Sequence, residues 1–203
     1  MTRTPASASS LDGKNDPAVE AAFDAASADV VAEILDGELY TMPRPRPRHA
    51  RAATRLGRLL GGFDGDRSGP STPGGWVLLD EPEIHLGPMP DKLVPDLAGW
   101  RRDRFPAREL DASDDAAIAV APDWVCEVLS ERTEAIDRGK KRRIYRREGV
   151  EYLWYVDPRD RSLEVWQLHE GRWLEVETFE GDRVVAAPPF EQLELDLAAL
   201  WRW

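Results

Sequence analysis

The sequence predicts a mixed α/β fold in which strands outnumber helices, and three features carry this prediction. The stretch PDWVCEVLS, residues 122–130, is apolar on both of its alternating faces, as in a central strand covered on both sides. The segment 133–148 repeats apolar residues at helical spacing and ends before Gly149. The segment 151–180 divides into short strand-like runs separated by turn residues, which is typical of antiparallel hairpins.

Composition limits the domain organisation. The chain has 203 residues, of which 42% are hydrophobic, which fits one domain with a tail. Residues 1–16 are rich in Ser, Thr, Ala and Pro and predict a disordered tail, leaving residues 17–203 as a single domain. The one cysteine excludes an intrachain disulfide. The sequence lacks an apolar run of membrane-spanning length and a signal-peptide pattern, so we expect a cytoplasmic protein.

The N-terminal half contains two helix signals and one hairpin signal. Asp16 is placed to cap a helix that has Pro17 in its first turn. Asp36-Gly37 separates two short apolar runs and predicts a tight hairpin, and Gly61-Gly62 ends a later helix. The predicted elements are a helix over 17–30, a hairpin over 33–42 and a helix over about 48–61.

The C-terminal part contains most of the predicted strands. A strand over 76–86 is expected to bend at Pro82, because proline cannot donate to a sheet ladder. A polar connection spans 102–121, and a helical turn is expected near the C-terminus. The remaining predicted strands are 93–101, 122–130, 151–157, 162–169 and 172–180.

Glu127 lies in the middle of the apolar stretch 122–130. Because side chains alternate along a strand, it shares a face with Val125 and Leu129, while the opposite face is also apolar. A lone buried carboxylate costs several kcal/mol unless it is paired, protonated or bound to a metal. An arginine in a buried ion pair would satisfy Glu127 without any function.

Lys141 is the counterpart of Glu127 in the following helix. Helical spacing places it on one face with Ile144 and Tyr145, which must pack on the sheet, while its neighbours Lys140 and Arg142 point elsewhere. A lysine on the buried face, beside a strand with a buried glutamate, indicates a functional site. The alternative is a purely structural Glu127–Lys141 ion pair.

Charge is unevenly distributed along the chain. The net charge of −11 argues against indiscriminate nucleic-acid binding. Yet the segments 44–58 and 138–147 contain thirteen of the 27 basic residues and no acid. Each can be an ordinary solvated helix face, but two of them in an acidic protein favour an anionic ligand.

Three segments resemble the Uma-two family of restriction-endonuclease-like proteins, within the PD-(D/E)XK nuclease superfamily. The resemblance covers about residues 33–200, and the spacing of EGVEYLWYVDP departs from the common pattern by one residue. The segments are EILDGELYTMPRPRPRHARAATRLGRLL (33–60), VPDLAGW (94–100) and APDWVCEVLSERTEAIDRGKKRRIYRREGVEYLWYVDP (121–158). This resemblance implies an α/β, restriction-endonuclease-like mixed β-sheet core flanked by helices, with additional antiparallel strands.

The resemblance also implies roles for individual residues. Asp96 matches the aspartate of the PD pair and Glu127 the acid of the (D/E)XK element, so both are expected to bind metal. The position of the motif lysine holds Leu129, and Lys141 replaces it from the helix, completing the expected catalytic set. The possible accessory residues are Glu38, His49, Glu83 and Tyr145, although Glu83 can equally cap the bend beside Pro82. The residues expected to contact nucleic acid are Arg48, Arg51, Arg55 and Arg58.

The function implied is a metal-dependent DNA endonuclease, a hydrolase that acts as a homodimer. Paired carboxylates are hard oxygen ligands for Mg²⁺ or Mn²⁺, and a lysine can stabilise negative charge that develops on the phosphate. The alternative is a catalytically weak nucleic-acid-binding or assembly protein that keeps the fold. A third interpretation is a metal-free domain held together by the Glu127–Lys141 pair.

Overall fold

A computed structural model describes residues 2–4, 15–65, 73–105, 107 and 117–202 and confirms the mixed α/β class. The helices of this part are α1 (Pro17–Asp24), α2 (Pro47–Leu60), α3 (residues 134–147) and α4 (Ala198–Trp201). The strands are β1 (Thr2–Thr4), β2 (Val30–Leu35), β3 (Glu38–Pro43), β4 (Trp76–Asp80), β5 (Ile84–Leu86), β6 (Asp91–Leu93), β7 (Leu97–Arg101), β8 (Trp124–Val128), β9 (Tyr152–Asp157), β10 (Ser162–His169), β11 (Arg172–Glu180), β12 (Val184–Val185) and β13 (Leu195–Asp196).

A six-stranded sheet with the order β11-β10-β9-β8-β7-β4 forms the centre of the fold. Only β8 and β9 run parallel in it, and α3 makes the connection between them. Strand β8 is buried on both faces, as its sequence predicts. Trp124, Cys126 and Val128 pack into one apolar cluster, whereas Val125 belongs to the cluster on the α3 side.

A second sheet has the order β1-β3-β2-β6-β5 and contains the predicted hairpin. Asp36 and Gly37 connect β2 to β3 with positive φ angles of 52° and 75°, which is the conformation of a two-residue hairpin turn. Strand β6 pairs with β2 through Ile34 and Lys92. The chain then passes from β6 to β7, which brings the two sheets together beside β8. A separate two-stranded ladder joins β12 and β13.

Two predicted strands are each divided between the sheets, so the prediction of one strand was wrong in both cases, although the interruption at Pro82 was expected. Residues 76–86 form β4 in the six-stranded sheet and β5 in the other, and Pro82 lies between them. Residues 93–101 divide in the same way at Pro95. A proline interrupts a ladder because it has no N–H group, and here the chain uses each interruption to change sheets. The second change leaves Asp96 between the two sheets.

The helix bounds also differ in detail from the predictions. Asp16 caps α1 as predicted, since its side chain accepts a hydrogen bond of 2.8 Å from the N–H of Ala18. The helix ends at Asp24 rather than at residue 30, and the Ser27 hydroxyl instead accepts from the N–H of Asp29 at 3.2 Å. Such a local bond competes with helix continuation. Helix α2 matches its prediction closely and ends in a 3₁₀ turn at Gly61–Phe63.

The ends of the chain and its long connection are only partly described. Thr2–Thr4 pair with β3, where the sequence predicts disorder, and most of the remaining predicted tail lies outside the described residues. Much of the predicted connection 102–121 lies outside them as well. No helix of the described segments is long and apolar enough to cross a membrane.

Candidate active site

A cavity of about 290 Å³ opens where β2, β8 and the loop before β7 meet the beginnings of α2 and α3. Its polar lining includes Glu33, His49, Asp96, Glu127, Asp137 and Lys141. Three of the sequence-predicted site residues, Asp96, Glu127 and Lys141, therefore lie in one cavity. They come from three different elements that are distant in the sequence.

Lys141 is the centre of a buried charge cluster. Its Nζ lies 2.7 Å from Glu127 Oε1, 3.2 Å from Glu33 Oε1 and 3.8 Å from Asp137 Oδ1. The lysine side chain is only 4% exposed, so the predicted orientation of this helix face is confirmed. Three carboxylates around one ammonium compensate for its loss of water.

A π turn gives α3 the local shape that presents Lys141 and Asp137. The turn spans Asp137–Lys141, and the N–H of Arg142 donates to the carbonyl of Asp137, five residues earlier. Such turns interrupt α-helices frequently at functional sites. Here the turn holds Asp137 and Lys141 on the cavity side, while Tyr145 remains buried against the sheet.

The protonation of the cluster follows from burial and crowding. Burial raises the pKa of Glu127 well above its usual range, and nearby carboxylates raise it further, while Lys141 opposes the shift. Burial also raises the pKa of Asp137, to about 7, despite the opposing charge of Lys141. The pKa of Lys141 is raised because the surrounding carboxylates outweigh its burial. We infer that Lys141 stays charged and that the carboxylates hold a proton among them at neutral pH.

Tyr145 orients Glu127 within this cluster. Its hydroxyl donates to Glu127 Oε1 at 2.6 Å, and both side chains are buried. Glu127 Oε1 therefore receives the tyrosine hydroxyl and the Lys141 ammonium together. Two donors on one oxygen hold the carboxylate in a single orientation at the base of the cavity.

Asp96 reaches the same end of β8 from the neighbouring strand. Leu97 pairs with Cys126, so the antiparallel register continues from Asp96 to Glu127. The Asp96 carboxylate accepts a hydrogen bond of 2.7 Å from the N–H of Val128. This bond ties Asp96 to the backbone next to Glu127.

His49 lies beside Asp96 at the beginning of α2. Its Nε2 lies 3.3 Å from Asp96 Oδ2. Burial lowers the pKa of His49, but the bond and charge of Asp96 outweigh burial and raise it overall. The other ring nitrogen, Nδ1, is buried without a hydrogen-bond partner. His49 therefore holds Asp96 in place from the beginning of α2.

The sequence reasoning did not single out Asp137 as a site residue, and it also missed Glu33. Glu33 is fully buried, and its Oε1 accepts a hydrogen bond of 2.7 Å from the N–H of Val94 in addition to contacting Lys141. Its Oε2 is buried without a partner. The signal was present, because Glu33 interrupts the apolar strand VVAEIL just as Glu127 interrupts its own strand.

Two predicted accessory residues lie away from the cavity lining. Glu38 accepts hydrogen bonds from Tyr40 at 2.7 Å and from Lys140 at 3.2 Å. Glu83 contacts His85 at 2.7 Å beyond the bend at Pro82. Both residues take partners from the second sheet or from the outer side of α3. The cavity therefore brings together His49 with the predicted set and leaves Glu38 and Glu83 outside.

The predicted nucleic-acid-binding arginines of α2 separate into different environments. Arg48 is exposed and lines the cavity, whereas Arg55 and Arg58 lie farther along the helix. Arg51 donates two hydrogen bonds, of 2.8 and 2.6 Å, to the carbonyl of Arg202 and so attaches the C-terminal segment. Further arginines that line the cavity are Arg44, Arg46, Arg132 and Arg159.

The donor chemistry of the cavity fits a hard divalent cation. Carboxylates of Glu33, Asp96 and Glu127 face it, and the unpartnered Oε2 of Glu33 is a buried acceptor that lacks a donor. Within the described ranges, no three His, Cys, Asp or Glu side chains are grouped closely enough to hold a metal ion. The carboxylates are therefore of the kind that binds Mg²⁺, but in this arrangement they are not grouped around one ion position, and Lys141 lies between Glu33 and Glu127.

Comparison with known proteins identifies the family and the fold of the chain. A solved structure described as "a putative nuclease belonging to DUF820 from Anabaena variabilis ATCC 29413" superposes with a TM-score of 0.70 at 19% identity. The match covers 90% of this chain and 96% of that chain, and at this identity it shows the shared fold alone. No curated protein matches the sequence. The family model "Uma2: Putative restriction endonuclease" matches residues 20–198, and the chain therefore belongs to the Uma2 family.

Proposed function

We propose that this protein is a metal-dependent DNA endonuclease that hydrolyses phosphodiester bonds with Asp96, Glu127 and Lys141. The family and the nuclease-like fold support nuclease function. The observation that carries the finer proposal is the contact of 2.7 Å between Lys141 and Glu127 at the base of an open cavity. Arginines line the same cavity, so an anionic substrate is attracted to the buried acids.

Each residue of the cavity has a role in this proposal. Asp96 and Glu127 would hold Mg²⁺ or Mn²⁺, which when bound polarises the phosphoryl oxygen and makes its water more acidic. Lys141 stays charged and stabilises negative charge that develops on the phosphate. Glu33 positions Lys141, while Tyr145 orients Glu127. His49 performs the same positioning for Asp96.

A second candidate function is a catalytically weak nucleic-acid-binding or assembly protein. The ion pairs of Lys141 with Glu127 and Glu33 favour it, because they hold the lysine without any substrate. The net charge of −11 favours it as well. The same contacts would serve a metal-free structural core, in which the Glu127–Lys141 pair has no catalytic role.

Cleavage of supercoiled plasmid tests the enzyme directly. We expect Mg²⁺ or Mn²⁺ to produce nicked or linear DNA and EDTA to stop the reaction. Lys141→Ala should abolish cleavage and leave DNA binding nearly intact, because one buried lysine adds little to the electrostatic attraction. Lys140→Ala, the same change at the adjacent position outside the cavity lining, is the control and should keep cleaving.

A binding measurement separates the two candidate functions. Replacing Arg48, Arg55 and Arg58 together by glutamine should weaken DNA binding and reduce its salt slope by up to about 2.7, since each phosphate contact contributes about 0.9. Arg51 is kept because it bonds to Arg202. A wild-type protein that binds DNA but never cuts it, across metals and salt concentrations, would favour the binding protein.

We also propose that the enzyme acts as a homodimer. A two-fold dimer presents two equivalent cavities to the antiparallel strands of a duplex. Sedimentation analysis of the protein with and without DNA checks this, and a monomer that makes double-strand cuts would contradict it.

A further inference from the structure

A second cavity, of about 360 Å³, lies between the outer side of α3 and strand β11. It shares no lining residue with the cavity of the candidate active site. Its side-chain lining consists of Arg138, Arg142, Arg143, Arg146, Arg172 and Trp173. No carboxylate belongs to this lining among the described residues.

Helical spacing explains the concentration of arginines. Arg138, Arg142 and Arg146 lie four residues apart, so they form one row along α3. Arg142 follows Lys141 by one residue and Arg146 follows Tyr145 by one residue, so the arginine row lies on a different side of the helix from these two residues of the buried cluster. Trp173 fixes the neighbouring strand against the row, because its Nε1 donates to the carbonyl of Arg142 at 3.1 Å.

The arginines of this cavity differ in whether they form ion pairs with carboxylates of the protein. Arg138 bonds to Glu164 and lies 3.0 Å from Glu134, and Arg143 lies 3.6 Å from Asp36. In the described part of the chain, by contrast, no ion pair is formed by Arg142, Arg146 or Arg172.

Arg142 lines this cavity and has one side-chain nitrogen without a hydrogen-bond acceptor. Its guanidinium lies over the ring of Trp166 at 4.0 Å, which fixes its plane. Its Nε is buried and has no hydrogen-bond acceptor. A buried donor without a partner costs free energy, but an atom this enclosed is not itself exposed to an anion in the cavity.

We propose that this cavity binds backbone phosphates of nucleic acid through Arg142, Arg146 and Arg172. Guanidinium groups match phosphate oxygens in geometry and remain charged at every physiological pH. The ligand class rests on the proposed nuclease function. The two cavities are lined by different residues of α3, namely Asp137 and Lys141 in the first and Arg138, Arg142, Arg143 and Arg146 in the second.

Salt-dependent binding of a short fluorescent DNA duplex, in EDTA to prevent cleavage, tests the proposal. Arg146→Gln/Arg172→Gln removes two exposed arginines that have no carboxylate partner. We expect weaker binding and a salt slope reduced by about 1.8, because two phosphate contacts are lost. Arg146→Lys/Arg172→Lys keeps both charges and should retain most of the slope.

The control is Arg161→Gln/Arg183→Gln. It makes the same change in net charge at two exposed positions outside both cavities. Its slope should stay close to that of the wild type. If the two glutamine variants change the slope equally, the effect is one of net charge alone and the proposal is wrong.

The outcomes also separate this proposal from the nuclease function. A protein that cuts DNA while Arg146→Gln/Arg172→Gln binds like its control is a nuclease without the second phosphate site. A protein that never cuts, but loses slope in that variant alone, has the phosphate site without the activity. If the variant leaves the slope unchanged but converts a dimer to a monomer in sedimentation, the cavity binds a second copy of the chain, which overturns the proposal.

Discussion

The two cavities beside α3 differ in the burial and the pairing of their charged side chains. In the first, Lys141 is buried and surrounded by Glu33, Glu127 and Asp137, so charges of both signs lie together away from water. In the second, the side-chain lining contains guanidiniums and an indole, and Arg146 and Arg172 remain exposed. A charge that is removed from water needs a nearby partner to offset the lost hydration, whereas a charge at the surface remains hydrated without one. The difference therefore separates a cluster whose charges are paired within the protein from a basic surface whose arginines are partly unpaired.

The largest expected effect of this difference is on stability. Lys141→Met leaves buried carboxylates without their cation and should lower the free energy of unfolding by about 3–5 kcal/mol at neutral pH. Urea unfolding measures this change. Lys140→Met, in the adjacent and more exposed position, should cost less than about 1 kcal/mol. Equal losses in the two variants would contradict the contrast between buried and surface charge.

Metal binding gives the next largest effect. If Asp96 and Glu127 hold a divalent ion, Mn²⁺ at a hundred times its dissociation constant should stabilise the wild type by about 2.7 kcal/mol and raise its Tm. Glu127→Gln should remove this response and can stabilise the metal-free protein, because a buried carboxylate is lost. Glu38→Gln, outside the cavity lining, should keep the response. A metal-induced shift that survives in Glu127→Gln would remove Glu127 from the metal site.

The third effect is a dependence of stability on pH, and it is small for each pH unit. Burial raises the pKa of Asp137 to about 7 in the folded protein, from 3.8 in the unfolded chain, so the folded state keeps a proton that the unfolded state has lost. The free energy of unfolding should therefore fall as the pH rises from about 4 to about 7, by at most about 1.4 kcal/mol per pH unit. Asp137→Asn should flatten this slope in chemical denaturation. Asp103→Asn, an exposed control, should leave it unchanged, and the same slope in both variants would exclude Asp137 as its origin.

Local sequence patterns predicted the features that depend on neighbouring residues in the chain. Alternation along 122–130 predicted a strand buried on both faces with Glu127 inside it, and helical phase predicted that Lys141 faces the sheet. Asp36-Gly37 predicted its hairpin for the same reason, because the turn conformation belongs to those two residues. These features need only backbone geometry and periodicity, which act within a few residues.

Long-range pairing was beyond such patterns. Glu33 carries the same signal as Glu127, but nothing along the chain reveals that β2 lies next to α3. Likewise, Pro82 and Pro95 mark interruptions without showing that the chain changes sheets at each. In the sequence, Arg51 looks like the other arginines of α2. Only the structure shows that it bonds to the carbonyl of Arg202, near the other end of the chain.

The sequence by itself therefore determined the α/β class, the helix and strand that carry Lys141 and Glu127, and the membership of the Uma2 family. Only the tertiary structure decided which charges meet: Glu33 with Lys141, His49 with Asp96, and the arginine row of α3 with Arg172. The physical reason is distance. Periodicity determines the direction of each side chain on its own element, but the energy of a buried charge depends on partners contributed by elements far away in the chain.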